Sequence, residues 1–171
     1  MADDRIERLT EAQTLGLQGL YDTAFEILDG LLGKNPVDVA ALRLKGNLLE
    51  LKAMEVLEIN RRKFTTSADY LAARRCYEAI LQVDPEDAAA HVDLGDHYRN
   101  MGASDRALEY YGTAANILRK TPSGPALRED VEQLLAGVEP LVKHERLARE
   151  ARSIEAWCRE VLGASGSGKS A

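Results

Sequence analysis

The sequence predicts an all-α protein built as an array of stacked helix pairs, and three features carry that prediction. Small and apolar residues recur at a fixed period of 34, and the five prolines all lie outside the apolar runs. The chain is also poor in aromatics and rich in Ala and Leu, which suits helix-on-helix packing. With 171 residues and 45% hydrophobic content, it is long enough for one core that buries roughly 70% of its unfolded-chain surface. No sheet is expected.

The period emerges from matching the turns. Asn35-Pro36 recurs as Asp84-Pro85 at a shift of 49, and the same shift takes Ala24 to Ala73, Leu28 to Tyr77 and Leu31 to Ile80. A shift of 34 takes Ala73 to Ala107, Tyr77 to Tyr111 and Ile80 to Ala114, and it also takes Ala12 to Gly46 and Leu15 to Leu49. Between Gly46 and Gly95 the shift is again 49, so the period is 34 and 15 residues are inserted between Leu49 and Ala73. Small residues at the facing positions let helix backbones approach to the usual 8–10 Å or so, while Tyr and Leu fill the space between pairs. At the turns, Asn35 and Asp84 read as N-caps with Pro36 and Pro85 at the first helical position and acids in the first turn.

The third unit states the pattern most fully. It carries Leu94, Gly95, Tyr98, Gly102, Ala107, Tyr111 and Ala114 in register, with His91 where an early Trp would stand. On these residues the sequence resembles the tetratricopeptide repeat family, whose 34-residue unit is a helix-turn-helix. The resemblance covers roughly residues 5–121. It divides them into units at 5–38, at 39–87 with the 15-residue insertion, and at 88–121. It implies a right-handed α-α superhelix whose first helices line a concave groove that binds a peptide or helix of another protein. Carried over by position, that groove holds Leu9 and Gln13 from the first unit, Arg43, Asn47 and Glu50 from the second, and Val92, Asp96 and Arg99 from the third. Arg43 and Asn47 stand where some members hold a partner's terminal carboxylate. The matching cations of the next repeat are missing and Asp93 stands where an amide would help, so a clamp for an acidic C-terminus is not expected.

The insertion lengthens both helices of the second unit. Leu51 to Asn60 continues a helical pattern without a breaker, and Thr65-Thr66-Ser67 reads as a turn with Thr66 or Ser67 capping a helix over 68–83. The hairpin tip carries Arg61, Arg62, Lys63 and Phe64. It is a candidate partner contact, weighed against Phe64 folding back onto Met54, Leu57 or Tyr70.

After Thr121-Pro-Ser-Gly-Pro125 a C-terminal helical extension is predicted over 125–162, with helices at 126–136 and 139–162 separated by Gly137 and Pro140. The second is amphipathic, with Leu147, Ala151, Ile154, Trp157, Cys158 and Val161 on one face. Such a helix caps the open end of a solenoid, or forms a homo-oligomer seam through Trp157.

Chemistry is sparse. The last residues, Gly163 to Ser170, match the phosphate-loop pattern GxxxxGK[ST]. That loop works between a strand and a helix, and here it follows a helix, so 163–171 reads as a Gly/Ser-rich tail. Asp93 and His97 share an i,i+4 spacing, but two ligands make no metal site. Cys76 and Cys158 lie too far apart for metal-ligand spacing and pair with no catalytic histidine. No catalytic residue, metal or cofactor is therefore expected.

A formal charge of -6 argues against nucleic acid as the main partner. No uncharged apolar run reaches about 18 residues and the N-terminus opens with acids, so neither membrane insertion nor a signal peptide is expected and the chain reads as cytoplasmic. The leading expectation is a non-catalytic adaptor or scaffold. The alternatives are a chaperone of the secretion type and, through the terminal glycine-rich loop, a nucleotide-binding regulator.

Overall fold

The structure, a computed structural model, describes residues 2–57, 67–122 and 125–164. It is all-α, and among the described residues there is no strand. The chain divides into two compact units, Met1–Pro85 and Glu86–Ala171. The first contains α1 (Ala2–Leu17), α2 (Tyr21–Lys34), α3 (Val39–Leu57) and α4 (Ala68–Val83). The second contains α5 (Ala88–Asn100), α6 (Ser104–Leu118), α7 (Pro125–Val138), a 3-10 turn of helix at Glu139–Lys143, and α8 (Ala148–Ala164). Consecutive helices pack in pairs, α1 on α2 and α3 on α4, then α5 on α6 and α7 on α8.

Glycine sets the turn inside a pair. Gly19 and Gly102 have φ of 77° and 76°, the left-handed region that costs a side chain with a Cβ. The chain then closes α1 with Leu20 N–H to Leu15 C=O at 2.9 Å and Gly19 N–H to Gly16 C=O at 3.0 Å. Ala103 to Tyr98 and Gly102 to Arg99, both at 2.9 Å, repeat the arrangement at the end of α5. This is the Schellman closure, which satisfies carbonyls that a helix end leaves unpaired.

Between pairs the caps differ from the sequence expectation. Asn35 and Asp84 are not N-caps: each ends the preceding helix in extended conformation, its N–H bonded to Leu31 C=O or Ile80 C=O. Asp38 N–H bonds Asn35 C=O at 3.1 Å, so Pro36 occupies the second position of a turn, where its fixed φ is useful. The capping carboxylates come three residues later. Asp38 accepts from Ala41 N–H at 3.1 Å and Asp87 from Ala90 N–H at 2.8 Å. Ser67 caps α4 by accepting from Tyr70 N–H at 3.1 Å.

The small residues act as contact points. A Cβ on Gly46 would lie 2.6 Å from Tyr77 Cε1, and one on Gly95 2.4 Å from Tyr111 Cε1. These glycines and tyrosines hold equivalent places in the pairs α3–α4 and α5–α6; in the pair α1–α2, Ala12 and Leu28 share the buried cluster with Ala24, Ile27 and Leu31. Tyr70, Tyr77 and Tyr111 are the largest of the fully buried side chains. The outer turns of α3 are held to the start of α2. There Tyr21 O–H donates to Glu55 at 2.8 Å, and Lys52 pairs with Asp22 at 3.1 Å while its ammonium lies 5.4 Å from the Phe25 ring centre.

The C-terminal segment departs from its prediction three times. Gly137 does not break a helix: it lies inside α7, where a Cβ would come 2.7 Å from Tyr111 Cε1. The Tyr111 ring is thus closed in by Gly95 on α5 and Gly137 on α7. The helix expected from 139 instead begins at Ala148, because Pro140 lies in the first turn of the 3-10 stretch Glu139–Lys143, which His144 ends in extended conformation. Burial of Leu141 holds that turn against the unit. On α8, Ala151, Ile154 and Cys158 are buried, and half-buried Trp157 lies 5.1 Å under the Arg119 guanidinium of α6. The helix runs to Ala164, two residues into the predicted tail.

Candidate functional site

The first unit contains a cleft of about 780 Å³ between α1, α3 and the turn that joins α2 to α3. Its walls obey the repeat: Arg5, Ile6, Leu9, Thr10 and Gln13 line it from α1, and Val39, Ala40, Arg43, Leu44 and Asn47 line it from α3. Each α1 residue faces its counterpart 34 positions on. The turn adds Asn35, Val37 and Asp38.

One end is apolar. Ile6 is 58% and Val37 53% exposed, so both side chains present surface whose burial against a ligand would be favourable by up to about 1.5–3 kcal/mol each. The other end carries the carboxamides of Gln13 and Asn47. Next to Ile6 and Val37 in the chain, Arg5 and Asp38 are joined, Arg5 donating from Nε and Nη2 to the two carboxylate oxygens of Asp38, each at 2.6 Å. This fork, together with the Ala41 N–H, pulls the Asp38 carboxyl below its ordinary value even though burial works the other way.

Of the eight groove residues expected from the sequence, Leu9, Gln13, Arg43 and Asn47 line this one cleft. Glu50, one turn beyond Asn47 on α3, is half-buried and is not among the lining residues. Val92, Asp96 and Arg99 belong to the second unit. Val92 is 2% exposed, which makes it a core residue. Asp96 and Arg99 are bound to each other at 2.9 Å, and Tyr111 O–H donates to Asp96 at 2.7 Å while Arg99 Nε donates to Tyr111 Oη at 3.1 Å. Burial first, and then the Asp96 carboxylate, push the Tyr111 hydroxyl far above its ordinary pKa. Arg61, Arg62 and Phe64 lie outside the described residues.

Sequence reasoning missed the other nine lining residues: Arg5, Ile6 and Thr10 of α1, Asn35, Val37 and Asp38 of the turn, and Val39, Ala40 and Leu44 of α3. The signal for the helical ones was available, since each lies three or four residues before Leu9, Gln13, Arg43 or Asn47 and so shares a helix face with it.

Among the described residues no group of three or more His, Cys, Asp or Glu is placed to hold a metal ion, and no helix is long and apolar enough to cross a membrane. Cys76 and Cys158 are free thiols. Burial raises the Cys158 pKa to about 11 and raises that of Cys76 as well, which makes both poor nucleophiles.

Residues 66–125 match the family model of the tetratricopeptide repeat. The chain is also 31% identical over 105 residues to the human Superkiller complex protein 3, a stretch that is 58% of this chain and 6% of that protein. The matched span takes in the helix pair α5–α6, where the glycine, tyrosine and turn residues of the repeat fall at their expected places. Residues 66–125 are thus similar to the tetratricopeptide repeat.

Proposed function

We propose that this protein is a non-catalytic interaction adaptor that holds a peptide or helix of another protein in the cleft between α1 and α3. Tetratricopeptide repeats mediate protein–protein interaction, and the observation that carries the assignment to this cleft is its lining. Exposed Ile6 and Val37 stand at one end, carboxamides at the other, and Arg43 between them, in about 780 Å³. That is a few side chains' worth of room, with apolar surface for affinity and polar groups for register. Free thiols suit a cytoplasmic setting.

The test replaces groove residues and leaves the core alone. Arg43→Glu/Asn47→Ala is compared with wild type for capture of partners, with folding matched by circular dichroism. A photo-crosslinking residue at position 6 then reports whether the captured protein sits in the cleft. The expected result is a partner that is lost in the double variant and crosslinked from position 6. The same partner retained by both proteins, without a crosslink, overturns the assignment.

A further inference from the structure

The cleft contains a polar group whose orientation is set from outside it. Asn47 is exposed on α3 and lines the cleft, and an exposed carboxamide can ordinarily present either its oxygen or its N–H groups. Here Tyr77 on α4 donates its hydroxyl to Asn47 Oδ1 at 2.8 Å. The ring that carries this hydroxyl is 1% exposed and packs where a Cβ on Gly46 would lie 2.6 Å from Tyr77 Cε1. Core packing therefore fixes the donor, the donor occupies the carbonyl oxygen, and the Nδ2 end of Asn47 is what remains for a ligand.

Other acceptors of the same wall are engaged in the same way. The Asp38 carboxylate receives Arg5 and the Ala41 N–H, and Asn35 Oδ1 receives the Val37 N–H at 3.4 Å. Asn47 Nδ2 is thus a donor on a side of the cleft where these acceptors are already taken. A buried donor left unmatched in a complex costs about 1–3 kcal/mol, so a bound segment must bring oxygen to meet it.

We propose that Tyr77 is a positioning residue for the cleft: by holding Asn47 Oδ1 it makes Asn47 a donor and selects a segment that places a carbonyl or carboxylate oxygen over it. The second unit uses the same device on a different group. Tyr111, equivalent to Tyr77, donates to Asp96, equivalent to Asn47, and a carboxylate so held has no N–H to offer. The tyrosine sets orientation and the residue it holds sets the chemistry. This inference rests on the α1–α3 cleft being the binding site.

The experiment uses the full chain labelled with 15N and follows the Asn47 side-chain N–H resonances, with acetate and N-methylacetamide as probes. In wild type the carboxamide should be ordered and both resonances should move with at least one probe. A response to N-methylacetamide points to a backbone carbonyl as the natural ligand atom, and a stronger response to acetate points to a carboxylate. Tyr77→Phe keeps the ring on Gly46 and should lower the Asn47 side-chain order parameter from about 0.8 to below about 0.6, weakening the probe response several-fold. Asn47→Asp keeps an acceptor for Tyr77 without the N–H groups, and acetate should no longer move the backbone N–H signals of Leu44 and residue 47. An unchanged Asn47 order parameter and titration in Tyr77→Phe overturns the proposal, as does a full acetate response in Asn47→Asp. Failure here leaves the partner-capture result standing, and a partner that ignores the cleft fails the adaptor reading whatever the carboxamide does.

Discussion

Arg5 on α1 grips Asp38, the residue that caps α3, with two hydrogen bonds of 2.6 Å, and so ties the first helices of two successive helix pairs together at the rim of the cleft. Asp38 is buried and does two things at once: it terminates the α3 backbone at Ala41 N–H and receives the Arg5 fork.

Asp38→Ala should therefore destabilise the first unit by about 1–2 kcal/mol, most of it the lost cap, measured by urea unfolding. The pH dependence follows from the lowered pKa. A carboxyl held below its ordinary 3.8 contributes fully above that value, and the contribution disappears as the pH falls through the lower folded-state value. Asp38→Asn, which can still cap, should flatten the acid limb of the stability curve below about pH 4 and change little at pH 7. An acid limb identical to wild type would show that the pair carries no linkage.

The glycines give opposite outcomes according to what faces them. Gly95→Ala should lower stability by about 1–3 kcal/mol despite the gain in helix propensity, because the Tyr111 ring it meets at 2.4 Å has Gly137 on another side and cannot withdraw. Gly30→Ala on α2 meets nothing nearer than an Arg8 nitrogen at 4.0 Å and should stabilise by about 0.5–1 kcal/mol. Thermal unfolding of the two variants side by side decides this, and equal shifts of the same sign would refute it.

Tyr21 controls the alkaline limb. Burial first, and then the hydrogen bond to Glu55, push its hydroxyl from 10.0 up to about 12. The folded state holds this proton more tightly, so the contribution is complete below pH 10 and is lost as the pH rises through about 12. Tyr21→Phe should reduce the loss of stability across that interval, and ultraviolet titration of phenolate should show one fewer late-ionising tyrosine.

Thiol labelling separates the two cysteines from their unfolded counterparts. With its pKa near 11 and its sulfur buried, Cys158 should resist a disulfide reagent at pH 8 in the native protein and react at once in urea; half-buried Cys76 should fall between. Native-state reaction of Cys158 at the urea rate would mean that α8 opens freely.

How much of this was legible in sequence depended on whether a residue type has one use or several. That Gly46 and Gly95, and likewise Tyr77 and Tyr111, hold equivalent places was readable from a period of 34 interrupted once, but that each tyrosine lies on the glycine of its own helix pair, rather than between pairs, was not. Gly137 was misread because glycine also ends helices, and only the Tyr111 ring above it shows that close approach is its use here. Asn35 and Asp84 read as caps in the sequence because Asn, Asp and Pro serve both helix starts and turns, and the Asn35 C=O to Asp38 N–H bond decides for the turn. In the groove, the repeat phase placed Leu9, Gln13, Arg43 and Asn47 on one surface, and the four line one cleft. The same phase could not tell that Val92 is buried or that Asp96 and Arg99 bind each other, since those depend on neighbours at other distances in the chain.

The enclosure of Tyr111 by Gly95 and Gly137 has a consequence for how this sequence can drift. No one of the three positions can change size by a single mutation without leaving either a collision or a void, so the viable neighbours of this sequence at that spot require coordinated replacements on α5, α6 and α7. Descendants of this chain should therefore inherit the trio together or lose it together. A comparison of close homologues that found bulky residues at position 95 alongside a retained tyrosine at 111 would have to reveal a backbone shifted to make room.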